Sequence, residues 1–132
     1  MTGPGPGPEE LIHAEVPWLL QVAEHITGDP QPDDLGPLDA AVARHRAQAM
    51  GREVYGSIWL KAAALLHTLV RLPSLEHSNA QFGWLAAVAF LQVNGRPLTY
   101  QPKDAATLVR GVVAGTVPPR EIALQLRRWS TD

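Results

Sequence analysis

The chain has 132 residues, with 11 Lys plus Arg against 13 Asp plus Glu and a formal net charge of −2. That length suits one domain burying roughly two-thirds of its unfolded surface around a single core, and the charge balance lacks the basic field that draws proteins onto nucleic acid, so no nucleic-acid partner is expected. The chain has no Cys, which excludes disulfide scaffolds, thiolate zinc sites and cysteine nucleophiles and suits a reducing cytoplasm.

The opening Met1-Thr2-Gly3-Pro4-Gly5-Pro6-Gly7-Pro8 lacks the basic and apolar regions of a signal peptide and reads as a flexible Pro/Gly tail. The expected division is a tail over residues 1–15 and one helical domain over 16–132. The longest apolar run, Phe82 to Leu91, falls well short of the ~20 residues of a membrane span. No membrane partner is expected, and the location is read as cytoplasmic.

Pro17 stands at a helix start, followed by Leu19, Val22, Ala23 and Ile26 at helical spacing until Gly28. A second helix is predicted from near Asp34, whose carboxylate can cap free N–H groups, to near Ala49, with Leu38, Ala41, Val42 and His45 on one face. The segment from Met50 to Ser57 reads as a loop or short hairpin. A third helix carries Ile58, Ala62, Leu65, Leu66 and Leu69 on one stripe.

The fourth helix, from about Ser78 to Val93, has apolar residues around its whole circumference and is expected to be the central, buried one. Asn94-Gly95 closes it. A fifth helix turns Ala105, Leu108, Val109 and Val112 inward and ends at Gly115. A sixth opens at Pro118-Pro119 and carries Ile122, Leu126 and Trp129. No segment alternates with period two over a useful length, so the predicted fold class is all-α, a single-domain bundle of about six helices around a central buried helix.

The polar stretch from Leu72 to Gln81 lies between two apolar helices, where the N–H groups of Asn79, Ala80 and Gln81 have no partner within their own helix. A phosphate group suits such a helix start, with Ser78 as N-cap. Plain solvation of those donors, with Ser78 only a cap and Glu76 and His77 in a solvated turn, is the alternative.

The order of elements, with Ala62-Ala63-Ala64-Leu65-Leu66, the polar loop, and Trp84 to Gly95, resembles the Doc branch of the Fic/Doc family across nearly all of the chain. The motif of that family is H-P-F-x-D-G-N-K-R at the start of a buried helix. Placing Asn79 on its Asn brings Phe90-Leu91 and Asn94-Gly95 into register. The motif His then falls on Pro73, its Pro on Ser74, its apolar residue on Leu75, its acid on His77, its Gly on Ser78, and its Lys and Arg on Ala80 and Gln81.

The resemblance implies a toxin of a toxin-antitoxin module that moves a phosphoryl or nucleotidyl group from ATP or another nucleotide, with Mg²⁺, onto a protein hydroxyl. The implied partners are a cognate antitoxin and a target in the translation machinery. With Pro73 unable to act as a base, the catalytic candidates are His77 and Glu76, with Glu76 also the metal candidate. The phosphate-binding candidates are Ser78, Asn79 and Gln81. The same departures also fit a Fic-fold pseudoenzyme that binds a protein or nucleotide without catalysis. A helix-turn-helix regulator is disfavoured, since no Lys or Arg lies between Phe82 and Gly95.

Outside the loop, His67 reads as a helix-surface or boundary residue, the four Trp as core, and Arg127-Arg128-Trp129 as a surface for a partner peptide; Arg44, Arg46 and Arg52 lie near the loop before the third helix, where the resemblance implies a flap that docks the target segment, and read as a solvated positive face.

Overall fold

The computed structural model describes residues 11–49, 52–53 and 55–130. In chain order these form α1 (Val16–Ala23), α2 (Gly36–His45), a minimal antiparallel hairpin of β1 (Gln48–Ala49) and β2 (Arg52–Glu53), α3 (Ile58–Arg71), α4 (Asn79–Val93), α5 (Pro102–Ala114) and α6 (Pro119–Trp129). The fold is therefore all-α, and the hairpin is its sole paired-strand element among the described residues. None of these helices is long and apolar enough to cross a membrane.

Proline marks the starts. It occupies the first turn of α1, α2, α5 and α6, where its fixed φ is already helical and its missing N–H leaves nothing unpaired. Helix α3 begins instead at Ser57, whose hydroxyl accepts the Leu60 N–H at 3.0 Å. Asp34 binds the Gly36 N–H at 2.9 Å, as expected, but α2 stops at His45 and not near Ala49, because Gln48 and Ala49 pair with Glu53 and Arg52.

Helix α3 is the hub, where the sequence pattern points to α4. It packs against α2, α4, α5 and α6, and Lys61 to Leu66 and Thr68 to Val70 are all buried. Three consecutive alanines allow other backbones to approach it from several sides, a property that hydrophobic periodicity does not register. Its tightest neighbour is α4. A Cβ added at Gly83 would lie 2.6 Å from Val70 Cγ2 and 3.1 Å from the Leu66 carbonyl, so glycine is what allows the two helices to close. Helix α4 buries Phe82, Ala86, Ala87, Phe90 and Leu91 and leaves Trp84, Leu85 and Val88 half-buried.

Helix α4 ends as Asn94-Gly95 predicts. Gly95 has φ +78°, its N–H donates to the Gln92 carbonyl at 3.1 Å, and the Arg96 N–H reaches the Leu91 carbonyl at 2.8 Å, the double bond that closes a helix through a left-handed residue. The Asn94 side chain then holds the N-terminal segment, accepting from Ile12 N at 2.8 Å and donating to Ile12 O at 2.9 Å. Residues 1–10 of the expected tail lie outside the described residues. Residues 11–15 do not behave as a tail, since Ala14 is buried in the core.

Ala14 is held by His45, which is fully buried. The Ala14 N–H donates to His45 Nε2 at 3.1 Å, which places the ring proton on Nδ1, where it donates to the Lys61 carbonyl at 2.9 Å. Burial pulls the His45 pKa down to about 4, against the raising influence of that hydrogen bond and with help from the charge on His13.

Candidate functional site

The loop between α3 and α4 is laced to the segment between α1 and α2. Pro32 and Leu75 form an antiparallel bridge. The Asp33 N–H donates to the Ser74 carbonyl at 2.8 Å, and the Glu76 N–H to the Gln31 carbonyl at 3.0 Å. Leu75 is buried and anchors the loop to the core, and Ser74 is buried beside it. This bridge spans more than forty residues of sequence and carries no periodic signal.

Each candidate residue now has a position. Glu76 is exposed, and its Oε1 accepts the Gln31 N–H at 2.6 Å, so the carboxylate holds the segment between α1 and α2. His77 is also exposed; its Nδ1 pairs with Ser78 Oγ at 2.7 Å, and its ring lies against Gly28, where an added Cβ would be 3.2 Å from Cε1. Asn79 is half-buried. Its Oδ1 accepts from both Ser74 N and Leu75 N at 3.0 Å, and its Nδ2 donates to the Leu75 carbonyl at 3.0 Å.

Ser78 occupies the N-cap position but does not cap through its side chain, a correction to the sequence expectation. Its φ is +64°, in the left-handed region, and its hydroxyl turns to His77 instead of the helix. The first intrahelical bond of α4 runs from Phe82 N to Ser78 O at 2.9 Å, so the N–H groups of Asn79, Ala80 and Gln81 precede the ladder and carry the positive end of the helix dipole.

Beside those donors is a cavity of about 300 Å³ lined by Ala80, Gln81, Trp84, Tyr100, Pro102, Ala105, Ala106 and Val109. Trp84 meets Tyr100 edge-on, with ring centroids 5.1 Å apart, and Trp129 at 6.2 Å. Gln81, exposed, stands at its mouth. Aliphatic walls with aromatic rings next to a helix start suit a flat ring system bearing an anionic tail. Sequence reading places the helix-start N–H groups but not this cavity, because its far wall comes from α5, about 25 positions along the chain.

Glu76 Oε1 is engaged with Gln31 N, and among the described residues no three His, Cys, Asp or Glu side chains converge, so a Mg²⁺ at Glu76 would draw its other ligands from substrate phosphates and water. His67 is a boundary residue, as expected, but is bonded to Arg44 at 2.9 Å. Arg46 pairs with Glu15 at 3.1 Å. The Arg52 side chain lies outside the described residues. Arg128 and Trp129 line a groove of about 640 Å³ between α5 and α6, whereas Arg127 lies over the Trp59 ring, 5.3 Å from its centroid.

No protein-family model matches the chain. Toxin Doc of Mycolicibacterium smegmatis is 48% identical to it over 62 residues, which is 47% of this chain and 48% of that protein. The chain thus spans about half the length of the curated relative it matches, and over that half it is similar to a Doc toxin.

Proposed function

We propose that this chain is the toxin component of a toxin-antitoxin pair, with a cognate antitoxin as partner, and that it binds a nucleotide at the start of α4. The observation that carries the toxin reading is the 48% identity to a Doc toxin over 62 residues. The α4 donors and the adjoining aromatic cavity support the nucleotide. Ser78 supports the register with the Fic/Doc motif, since a left-handed backbone stands where that motif has glycine.

In this reading the phosphates of a nucleotide such as ATP lie against the N–H groups of residues 79–81, and the base enters the cavity beside Trp84 and Tyr100. A protein hydroxyl attacks phosphorus; one phosphorus–oxygen bond forms, the bond to the leaving phosphate breaks, and the hydroxyl proton passes to the His77 imidazole. Glu76 would hold a Mg²⁺ that neutralises charge on the phosphates. The alternative reading is nucleotide or protein binding without catalysis, in which Glu76, His77 and Asn79 serve to hold the loop through their bonds within it and to its neighbour.

Two measurements test these readings. Expression without an antitoxin should arrest bacterial growth, and unaffected growth with the folded protein present removes the toxin reading. Purified protein incubated with lysate and ATP labelled at the α- or γ-phosphate should transfer label to a protein, and a His77→Ala control should lose it. Nucleotide binding with no transfer from either position selects the second reading.

A further inference from the structure

Charge is divided unevenly along the chain. Residues 11–43 contain six Asp and Glu and no Lys or Arg, so α1, α2 and the segment between them make an acidic region that the small net charge conceals. A groove of about 580 Å³ lies there, between the end of α1, which supplies Leu20, Ala23 and Glu24, and the segment from Asp29 to Pro32. Glu24 and Asp29 are both exposed. The ion pair among the described residues is Arg46 with Glu15, so neither groove carboxylate has a Lys or Arg partner there.

The hydrogen bonds of the segment give the groove one chemical character. The Asp29 N–H donates to the Ile26 carbonyl at 3.0 Å, the Gln31 N–H donates to Glu76 Oε1 at 2.6 Å, and Pro30 and Pro32 have no N–H. The Gln31 side-chain amide donates to the Asp29 carbonyl at 3.1 Å. This wall therefore has no backbone donor to spare, and the groove meets its occupant with carboxylate and carbonyl oxygens. Such a surface repels anions and suits a cation that carries several donors. A metal ion does not match it, since the volume far exceeds one ion and among the described residues no three His, Cys, Asp or Glu side chains converge. Leu20, Ala23 and Pro30 supply aliphatic surface for the methylene stems of Arg and Lys.

We propose that this groove docks a basic, Arg- or Lys-rich segment of a protein partner. The segment that walls the groove is also the one laced to the α4 loop: Gly28 lies against the His77 ring, and Gln31 is bonded to Glu76. In the transfer reading, on which this role rests, the docked segment carries the accepting hydroxyl, and Glu24 and Asp29 select it by charge.

The test is fluorescence anisotropy of a short labelled peptide of alternating arginine and alanine, titrated with the full chain beside a glutamate and alanine counterpart. Saturable binding of the arginine peptide, weakened by added salt, is expected, with none of the glutamate peptide. Asn tolerates the φ of +44° at position 29, so Asp29→Asn combined with Glu24→Gln keeps size and backbone and should weaken binding roughly tenfold. Asp39→Asn, at an exposed position outside the groove, should leave binding unchanged. Absence of saturation, an equal loss in Asp39→Asn, full retention in the double variant, or complete displacement by equimolar spermidine would each overturn the proposal. The labelled-ATP assay separates docking from transfer. Transfer to lysate proteins by a chain that does not bind the arginine peptide would overturn the docking surface and leave the transfer reading standing. Peptide binding with no transfer to any protein would support the docking surface and overturn the transfer reading.

Discussion

At the scale of single residues, Asn79 and His45 show how one side chain can hold segments distant in sequence. Removing the Asn79 amide leaves the Ser74 and Leu75 N–H groups and the Leu75 carbonyl without their partner. Asn79→Ala should therefore lower stability by about 2 kcal/mol in urea unfolding, apart from any loss of activity. His45 ties the protein to pH. Its pKa falls from 6.5 unfolded to about 4 folded, so its contribution is complete above pH 6.5 and is lost as pH falls towards 4. The loss should reach on the order of 3 kcal/mol, read as a decline in unfolding free energy between those limits. The place of Asn79 at the start of α4 was legible in the sequence because it sets the register with Asn94-Gly95. Its partners were not, since a short polar side chain gives no sign of which backbone it will meet.

At the scale of elements, the contact between α3 and α4 and the exposed start of α4 give predictions of opposite character. Gly83→Ala raises helix propensity by about 1 kcal/mol, yet the added methyl meets Val70 and the Leu66 carbonyl. Overpacking wins, and thermal unfolding should show a net loss of about 1–3 kcal/mol. Ala80→Asp places a negative charge in the first turn of α4, where it complements the helix dipole by about 0.3–1 kcal/mol while repelling phosphate. The variant should be slightly more stable to heat and bind nucleotide more weakly in calorimetry; stronger binding would remove the phosphate reading of that helix start. Proline positions, the Asn94-Gly95 ending and the inward stripes of α5 and α6 were readable because each is a local rule. The hub role of α3 was not, because alanines are nearly neutral in hydrophobic pattern and their value lies in how closely other helices can approach.

At the scale of the whole molecule, the α4–α5 connection is where both ends of the described chain are fastened. Asn94 holds Ile12, and four residues later Leu98 bridges Ser130 while the Thr99 N–H donates to the Trp129 carbonyl at 2.8 Å. Asn94→Ala should leave the helices intact, cost about 1 kcal/mol, and raise hydrogen exchange at Ile12 and Ala14 before other core amides. Sequence reading placed the first of these ends in a loose tail because Leu11 to Glu15 is too short to show periodicity. Asn94 and Leu98 are at most roughly 14 Å apart along the chain, and tension applied between the two ends would load this one connection. The protein would yield under force by peeling α1 and α6 away from their anchors, and the packed pair α3 and α4 would be the last part to feel the pull.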